Sequence, residues 1–219
     1  MNAQIVGFVT GLTAEGRIAA RCGGLVRAGG GTSAGAELAA RQLVGEGAQA
    51  LVSFGLAGGL DSVLRPGALV VPTEIVDAGI VFSADPALAA RFGGMTGHRL
   101  LGAEAVVTEA AAKQRAAQDN NAQAVDLESG AVARVATEYG LPFAVVRAIC
   151  DPAERDLPPA ALIALDQKGA IGLVRVLGSL LKRPGQLGSL LQLARDAARA
   201  QRTLIEAADR FERSPALTV

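Results

Sequence analysis

The sequence predicts an α/β fold, because strand-like and helix-like segments alternate from one end of the chain to the other. The clearest strand is Phe143–Ile149, which is apolar throughout apart from Arg147. Such a run is typical of a strand buried on both faces of a mainly parallel sheet. The clearest helix is Glu128–Tyr139, with apolar residues at helical spacing and Gly140 at the usual C-terminal position.

The remaining segments follow the same alternation. Further strands are predicted at residues 4–10, 25–28, 49–54, 68–71 and 99–108, and in a short apolar run that ends at Val125. Further helices are predicted at residues 34–43, 86–92, 110–118, 160–181 and 187–211. The glycine-rich stretch at residues 55–59 is predicted to be a turn.

Length and composition limit the domain organisation and the partners. A chain of 219 residues is long enough for one sizeable core and short for two, so we expect one domain, 1–219, with 176–219 as a C-terminal helical extension. Lys plus Arg and Asp plus Glu both number 21, so no net charge favours nucleic acid. Two cysteines and one histidine leave little scope for a disulfide framework or a metal site, and no cofactor is expected.

The cellular location is predicted from the lack of a secretory signal and of a membrane-spanning segment in the sequence. The first residues have no basic segment ahead of their apolar run, which argues against a secretory signal. The most apolar long stretch, Ala161–Leu181, contains Asp166, Lys168 and Arg175 and is not expected to span a bilayer. We therefore expect a cytoplasmic protein.

A glycine-rich loop follows the second predicted strand. Gly29–Ser33 contains three consecutive glycines, whose backbone N–H groups can turn toward an anion at the start of the next helix. No Gly-Lys-Ser/Thr sequence follows, so the loop is not a P-loop. It is either a phosphate-binding loop or a simple strand-to-helix connection.

Two carboxylates have unusual positions. Glu128 begins a helix directly after a short apolar run, and Asp151 lies just past the carboxyl end of the most apolar strand. Ligands of open α/β sheets bind at that edge. Simpler explanations remain for each, because the helix dipole alone favours Glu128 and an Asp before Pro152 is a common turn former.

These carboxylates belong to two motifs that resemble a known superfamily. AVDLESGAVA and PFAVVRAICDPA are similar to the V-[DE]-M-E-[SG]-x-A and V-R-x-[IL]-S-D motifs of the purine nucleoside phosphorylases and nucleosidases. Leu127 replaces the usual Met, and Cys150 the usual Ser. The resemblance implies a three-layer α/β/α sandwich with a mixed, partly barrel-like central sheet. It also implies that Glu128 holds the ribose hydroxyls and that Asp151 protonates the purine.

The same resemblance assigns further site residues. Glu15 is the nearest match to the Glu that positions the attacking water in hydrolases of the superfamily. Substrate contacts are implied for residues in glycine-rich or strand-end positions, namely Gly55, Ala57, Gly58, Val107, Thr108 and Leu127. Phosphate contacts are implied for Arg17, Gly30, Gly31 and Thr32. Leu56 stands where a phosphate-binding Ser or Thr is common, which weakens the case for phosphate.

Within the superfamily, the sequence looks most like the hopanoid-associated phosphorylases. That branch implies release of adenine from adenosylhopane, a nucleoside with a lipid tail, by phosphorolysis with inorganic phosphate. The alternatives are a hydrolase of methylthioadenosine or adenosylhomocysteine, a non-catalytic nucleoside-binding module, and an interaction protein. A homo-oligomer is also expected.

The C-terminal segment allows two interpretations. Residues 187–211 form an amphipathic pattern that follows a basic break at Lys182 and Arg183. The predicted apolar stripe consists of Leu187, Leu190, Leu191, Ala194, Ala198, Leu204, Ile205, Ala208 and Phe211. Its apolar stripe either packs on the core or a second subunit, or contacts the inner face of a membrane peripherally.

Overall fold

The computed structural model describes residues 4–157 and 187–215, and all statements below refer to these residues. Nine strands form one mixed sheet. They are β1 Val6–Thr10, β2 Leu25–Ala28, β3 Ala50–Gly59, β4 Leu69–Val70, β5 Glu74–Asp77, β6 Ile80–Ser83, β7 Arg99–Gly102, β8 Ala124–Asp126 and β9 Phe143–Asp151. The order is β2-β1-β3-β8-β7-β5-β6, and β9 pairs with both β3 and β4.

Six α-helices surround the sheet in the described part of the chain. They are α1 Thr13–Ala19, α2 Ser33–Gly45, α3 Pro86–Ala90, α4 Ala110–Asn120, α5 Ser129–Glu138 and α6 Leu187–Arg213. Local sequence sets their ends. Thr32 caps α2 through its hydroxyl, which accepts the N–H of Gly35, and Gly140 leaves α5 with a φ of 63°. The predicted helix at 160–181 lies outside the described residues.

Two apolar clusters sandwich the sheet and give three layers. Alternate residues of β9 divide between them, with Val145 in one cluster and Val146 in the other. The first cluster contains α2 and α5, and the second contains residues of α1, α3 and α6. The mixed sheet flanked by helices agrees with the predicted fold class.

The middle of the sheet is formed by β3 and β9, which are parallel and buried along most of their length. β1 is parallel to β3 on its other side. The carboxyl ends of all three strands therefore meet at one edge of the sheet. Asp151, the last residue of β9, pairs there with Gly58 of β3.

Three details of the sequence interpretation are corrected. Gly55–Gly59 is part of β3, not a turn, because these small residues continue the pairing with β9, with a shift of register between Ala57 and Gly58. The predicted strand 99–108 ends at Gly102. The β5–β6 hairpin was not predicted; Ala78 and Gly79 form its turn, both with positive φ.

The C-terminal helix α6 packs mainly against β9. Its buried face is Asp196, Ala200, Leu204, Ala207, Ala208 and Phe211. This face differs from the predicted apolar stripe at its start, because Leu191, Ala194 and Ala198 are exposed. No described helix is both long and apolar enough to cross a membrane.

Candidate active site

Glu15 is buried near the carboxyl end of β1, although it belongs to the first helix after that strand. Its Oε2 accepts the N–H of Leu12 at 2.7 Å, and its Oε1 accepts the N–H of Leu56 at 2.9 Å. Burial raises the pKa of Glu15, and the positive charge of Arg147 and the backbone donors oppose that rise. Backbone N–H groups of β3 and of the residue before α1 therefore hold the Glu15 carboxylate in one orientation.

Glu128 lies beside Glu15 at the residue before α5. A Cβ atom added to Gly11 would lie 2.6 Å from Oε1 of Glu128 and 3.3 Å from Oε2 of Glu15. The two carboxylates therefore flank one glycine, where any side chain would collide with them. Burial raises the pKa of Glu128 to about 7, helped by the charges of Asp126 and Glu15 and opposed by Arg147.

Glu128 does not cap the helix that it precedes. Its side chain makes no capping hydrogen bond. Asp126 takes that role, since its Oδ1 accepts the N–H of Ser129 at 3.1 Å, the first residue of α5. The Glu128 carboxylate is left to face Gly11 and Arg147.

Arg147 links these groups, and the sequence interpretation gave it no role. Its guanidinium is 0% exposed, with Nε 2.5 Å from Oδ2 of Asp126 and Nη2 3.1 Å from Oε2 of Glu128. The signal was present in the sequence, because Arg147 is the one charged residue in the apolar run 143–149. Although desolvation opposes it, the charges of Asp126, Glu128 and Glu15 raise the pKa of Arg147, so it stays a cation.

Two serines complete this buried network. Nη2 of Arg147 donates to Oγ of Ser53 at 2.6 Å, and the Oγ atoms of Ser53 and Ser129 lie within hydrogen-bond distance, 3.1 Å apart. Oγ of Ser129 donates to Asp126. The hydroxyl of Ser53 is therefore occupied inside the protein.

Asp151 is buried at the end of β9 and forms an ion pair that the sequence did not indicate. Its Oδ2 lies 2.5 Å from Nζ of Lys113 on α4, and both side chains are almost wholly buried. Its Oδ1 is buried without a hydrogen-bond partner among the described residues. Burial raises the pKa of Asp151, and hydrogen bonding and charge from Lys113 oppose the rise.

Three of the predicted substrate contacts, Gly55, Ala57 and Gly58, lie in β3. A Cβ at Gly55 would lie 2.5 Å from Nη1 of Arg147 and 2.8 Å from Oε1 of Glu15, so this glycine leaves space for the charged network. Gly58 lies beside Asp151 and Val125. Ala57 is buried, and its carbonyl accepts from the thiol of Cys150 at 3.6 Å.

The other three predicted contacts lie on loops or next to them. Thr108 accepts the N–H of Leu157 at 2.8 Å, which joins the loop before α4 to the loop after Asp151. Val107 packs on a small cluster that includes Val125. Leu127 is half-buried between Asp126 and Glu128.

The predicted phosphate contacts do not form one group. Arg17 is exposed on α1 and makes no ion pair within the described residues. Gly30 and Gly31 both have a φ of 73°, and a Cβ on Gly31 would lie 4.0 Å from Oε1 of Glu128. The glycine loop therefore lies close to the Glu128 carboxylate, whereas the hydroxyl of Thr32 is used in capping α2.

One family comparison bears on this arrangement. Residues 99–181 match the family described as the phosphorylase superfamily. The matched segment contains both motifs, with Glu128 and Asp151. No curated protein matches the sequence. The match confirms the superfamily resemblance of the two motifs and agrees with the enzyme class that they imply.

Solved structures of low sequence identity share the fold. Futalosine hydrolase of Helicobacter pylori has a TM-score of 0.67 at 15% identity, with 94% of this chain and 98% of that chain covered. The 5′-methylthioadenosine/S-adenosylhomocysteine nucleosidase of the same organism has 0.68 at 16%, covering 95% and 99%. The corresponding nucleosidase of Colwellia psychrerythraea, in complex with adenine, has 0.69 at 15%, covering 99% of both chains. The chain thus has the nucleosidase fold over nearly its whole length.

Proposed function

We propose that this protein hydrolyses the N-glycosidic bond of an adenine nucleoside and releases adenine. The observation that carries the proposal is the meeting of Glu15 and Glu128 at Gly11, on the sheet edge where Asp151 ends β9. A nucleosidase needs three such groups, to activate water, hold the ribose and protonate the base. The solved structures of similar fold are named as nucleosidases and a hydrolase, which supports the same class of reaction.

The base leaves with a proton from Asp151. Breaking the bond between C1′ and N9 moves its electrons into the purine, and a proton on N7 makes neutral adenine the leaving group. General acid catalysis of this kind contributes roughly 100- to 10,000-fold. Burial favours the protonated acid that this step requires, because it raises the pKa of Asp151.

The ribose becomes positively charged as the bond breaks. An ionised Glu128 accepts hydrogen bonds from the ribose hydroxyls and stabilises that charge. Water then bonds to C1′ and gives a proton to Glu15, whose raised pKa makes it a better base. The products are adenine and the free sugar, and exchange with solvent returns Asp151 and Glu15 to their starting protonation states.

Water is proposed over phosphate on electrostatic grounds. Three buried carboxylates, Asp126, Glu128 and Glu15, surround Arg147, an arrangement that repels a phosphate dianion. The N–H of Leu56 donates to Glu15, so it is not free for an anion. Phosphorolysis is the outcome implied by the resemblance to the hopanoid-associated phosphorylases. It is supported by the glycine loop near Glu128, because such a loop at the start of a helix can bind an anion.

The particular substrate is a further proposal that depends on the motif resemblance. Adenosylhopane is the candidate from the sequence, and 5′-methylthioadenosine and S-adenosylhomocysteine are candidates from the names of proteins with the same fold. Homo-oligomer formation, contact with a membrane and the cytoplasmic location stay predictions.

The test is to incubate the purified protein with each nucleoside, with and without phosphate, and to follow adenine and the sugar product by mass spectrometry. We expect adenine release that Asp151→Asn abolishes, and a sugar without phosphate. Failure of the wild type to release a purine from any of these nucleosides would contradict the proposal. A phosphorylated sugar, formed only with phosphate, would replace hydrolysis by phosphorolysis.

A further inference from the structure

Lys113 has an environment that surface helices seldom provide. Within α4, all of whose residues are described, it is the single buried residue, and its side chain is 0% exposed. Removing an ammonium group from water costs several kcal/mol unless it is paired and hydrogen-bonded. A lysine at this position therefore requires compensation from its partners.

The compensation comes from one segment, the end of β9 and the loop after it. Nζ of Lys113 donates to the carbonyl of Pro152 at 3.0 Å and of Arg155 at 2.8 Å, and it lies 2.5 Å from Oδ2 of Asp151. An ammonium group has three N–H donors, so all three have acceptors. The lysine is fixed in position and cannot turn toward solvent.

This pairing makes the two oxygens of Asp151 different. Oδ2 is held by Lys113, whereas Oδ1 is buried without a partner among the described residues. A buried carboxyl oxygen without a partner is costly, and it is the atom available to a ligand. Oδ1 is thus the oxygen suited to exchange a proton with the purine.

We propose that Lys113 is a positioning residue for the acid, which holds Oδ2 of Asp151 so that Oδ1 meets the base and stabilises the carboxylate left after proton transfer. This inference rests on the proposed function. Burial alone would keep Asp151 protonated but would make it a weak acid, because its anion would form without water. A fixed cation beside Oδ2 stabilises charge that develops in the transition state.

Other titratable or charged groups surround Asp151 and must stay unchanged in a test. The charge of Arg155 in the next loop lowers the pKa of Asp151, that of Asp196 on α6 raises it, and the Cys150 thiol is the preceding residue. Arg155 is itself paired with Asp196 at 2.6 Å. Lys113→Met alters none of these side chains, and it replaces the ammonium by an apolar group of similar length.

The kinetic experiment compares wild type, Lys113→Met and Arg115→Met on an adenine nucleoside that the wild type cleaves. Arg115 is an exposed residue of the same helix without an ion pair in the described part of the chain, so its variant controls for loss of a charge. For Lys113→Met we expect kcat to fall about 100-fold. The alkaline limb of its pH profile should move up by about 1–3 pH units, because an acid without its cation keeps its proton longer.

A second readout does not depend on turnover. In protein labelled with ¹³C-aspartate, the carboxyl signal of Asp151, identified by its loss in Asp151→Asn, should titrate at higher pH in Lys113→Met than in the wild type. If the wild type cleaves no nucleoside, the proposed function fails while this titration still tests the pairing. Should Lys113→Met not fold, Lys113→Gln serves instead, since its amide still donates to the carbonyls of Pro152 and Arg155.

The inference is overturned by either of two results. The first is that Lys113→Met or Lys113→Gln has a kcat within threefold of the wild type and a pH–rate profile whose alkaline limb has not moved. The other is an unchanged titration of Asp151 in the folded variant, which would leave Lys113 a structural residue.

Discussion

Nη2 of Arg147 lies 3.1 Å from Oε2 of Glu128 in the interior of the protein. The arginine lowers the pKa of Glu128, but burial outweighs it and the pKa is raised to about 7. Glu128 therefore changes charge near neutral pH. Its protonated form favours the folded state, whereas its ionised form is the one that the proposed reaction requires.

For Glu128 we predict opposite pH dependences of activity and stability. Because an ionised Glu128 holds the ribose, kcat/KM should rise with pH through about 7. Stability should fall as pH rises from about 4.5 to about 7, because the folded state binds more protons there than the unfolded state. Rate profiles and urea unfolding at several pH values measure both.

The matched control is Glu128→Gln, which removes the titration and keeps the side-chain shape. The pH–rate profile of this variant should have no acidic limb, and its stability should not show the additional decrease above pH about 4.5. Its rate should be lower than that of the wild type at every pH. A variant with the wild-type rate would show that Glu128 does not act on the ribose.

Asp151→Asn should lose at least about 100-fold in adenine release, because it removes the proton donor with almost no change of shape. The ion pair with Lys113 adds a second effect, since the variant leaves a buried ammonium without its counter-ion. We therefore expect lower stability as well, by about 3–5 kcal/mol if no rearrangement compensates. Circular dichroism must establish folding before the rate is interpreted.

A double variant separates the two effects. Asp151→Asn combined with Lys113→Met removes both buried charges and should recover stability, but not activity. Recovery of turnover in the double variant would contradict the role of Asp151 as the acid.

Glu15→Gln should stop hydrolysis if Glu15 activates the water. An amide cannot take a proton, and it can accept only one of the two N–H groups, Leu12 and Leu56, that the carboxylate now accepts. Arg17→Gln is the comparison, because Arg17 is exposed on the same helix. The rate of Arg17→Gln should equal that of the wild type with and without phosphate. Loss of a phosphate-dependent rate in that variant would instead support the phosphate contact implied by the resemblance.

Much of the fold follows from sequence because the strongest patterns lie in the centre of the sheet. The run that became β9 was recognised from its continuous apolar residues, and β2 has the predicted bounds Leu25–Ala28. The β5–β6 hairpin was missed because its turn uses Ala78 at positive φ, which is unusual for a residue other than glycine. The glycine-rich end of β3 has the composition of a turn, but Gly55 is needed there for another reason, because a side chain at this position would collide with Arg147 and Glu15.

The site was only partly predictable for a related reason. Glu128 and Asp151 belong to recognisable motifs, but their partners come from distant parts of the chain. Lys113 lies 38 positions before Asp151 and has an ordinary helical context, so burial alone distinguishes it. Arg147 could have been suspected, because a charged residue in a strand buried on both faces needs compensating charges.

Arg147→Met should be among the most destabilising single changes, by about 3–5 kcal/mol, because it leaves the buried carboxylates without their cation. The loss should be larger at pH 8 than at pH 5, since protonation relieves the repulsion at low pH. Urea unfolding at both values measures it. Arg27→Met breaks an exposed ion pair with Glu46 and should cost less than about 1 kcal/mol, which controls for the substitution itself. Equal losses for the two variants would mean that the buried network contributes little.

The C-terminal helix offers a test between core packing and membrane contact. Phe211 is buried, stacked on Phe92 with ring centroids 4.7 Å apart, and the guanidinium of Arg91 lies 3.5 Å from its ring centre. Phe211→Ala should therefore cost about 3–5 kcal/mol in the free energy of unfolding. A helix whose apolar face entered a membrane would lose little stability in solution from the same change.

Leu191 provides the matched comparison, because it is 53% exposed on the same helix. Leu191→Ala should change stability by less than about 0.5 kcal/mol, as expected for a surface position. Sedimentation with anionic liposomes then tests whether the membrane interpretation holds for the exposed residues near Leu191 rather than for the buried end of α6. If the full-length protein sediments and Leu191→Ala does not, the region around Leu191 contacts lipid while Phe211 anchors the helix to the core. If Phe211→Ala leaves stability unchanged and abolishes sedimentation, the packing described for α6 is wrong and its apolar face binds the membrane.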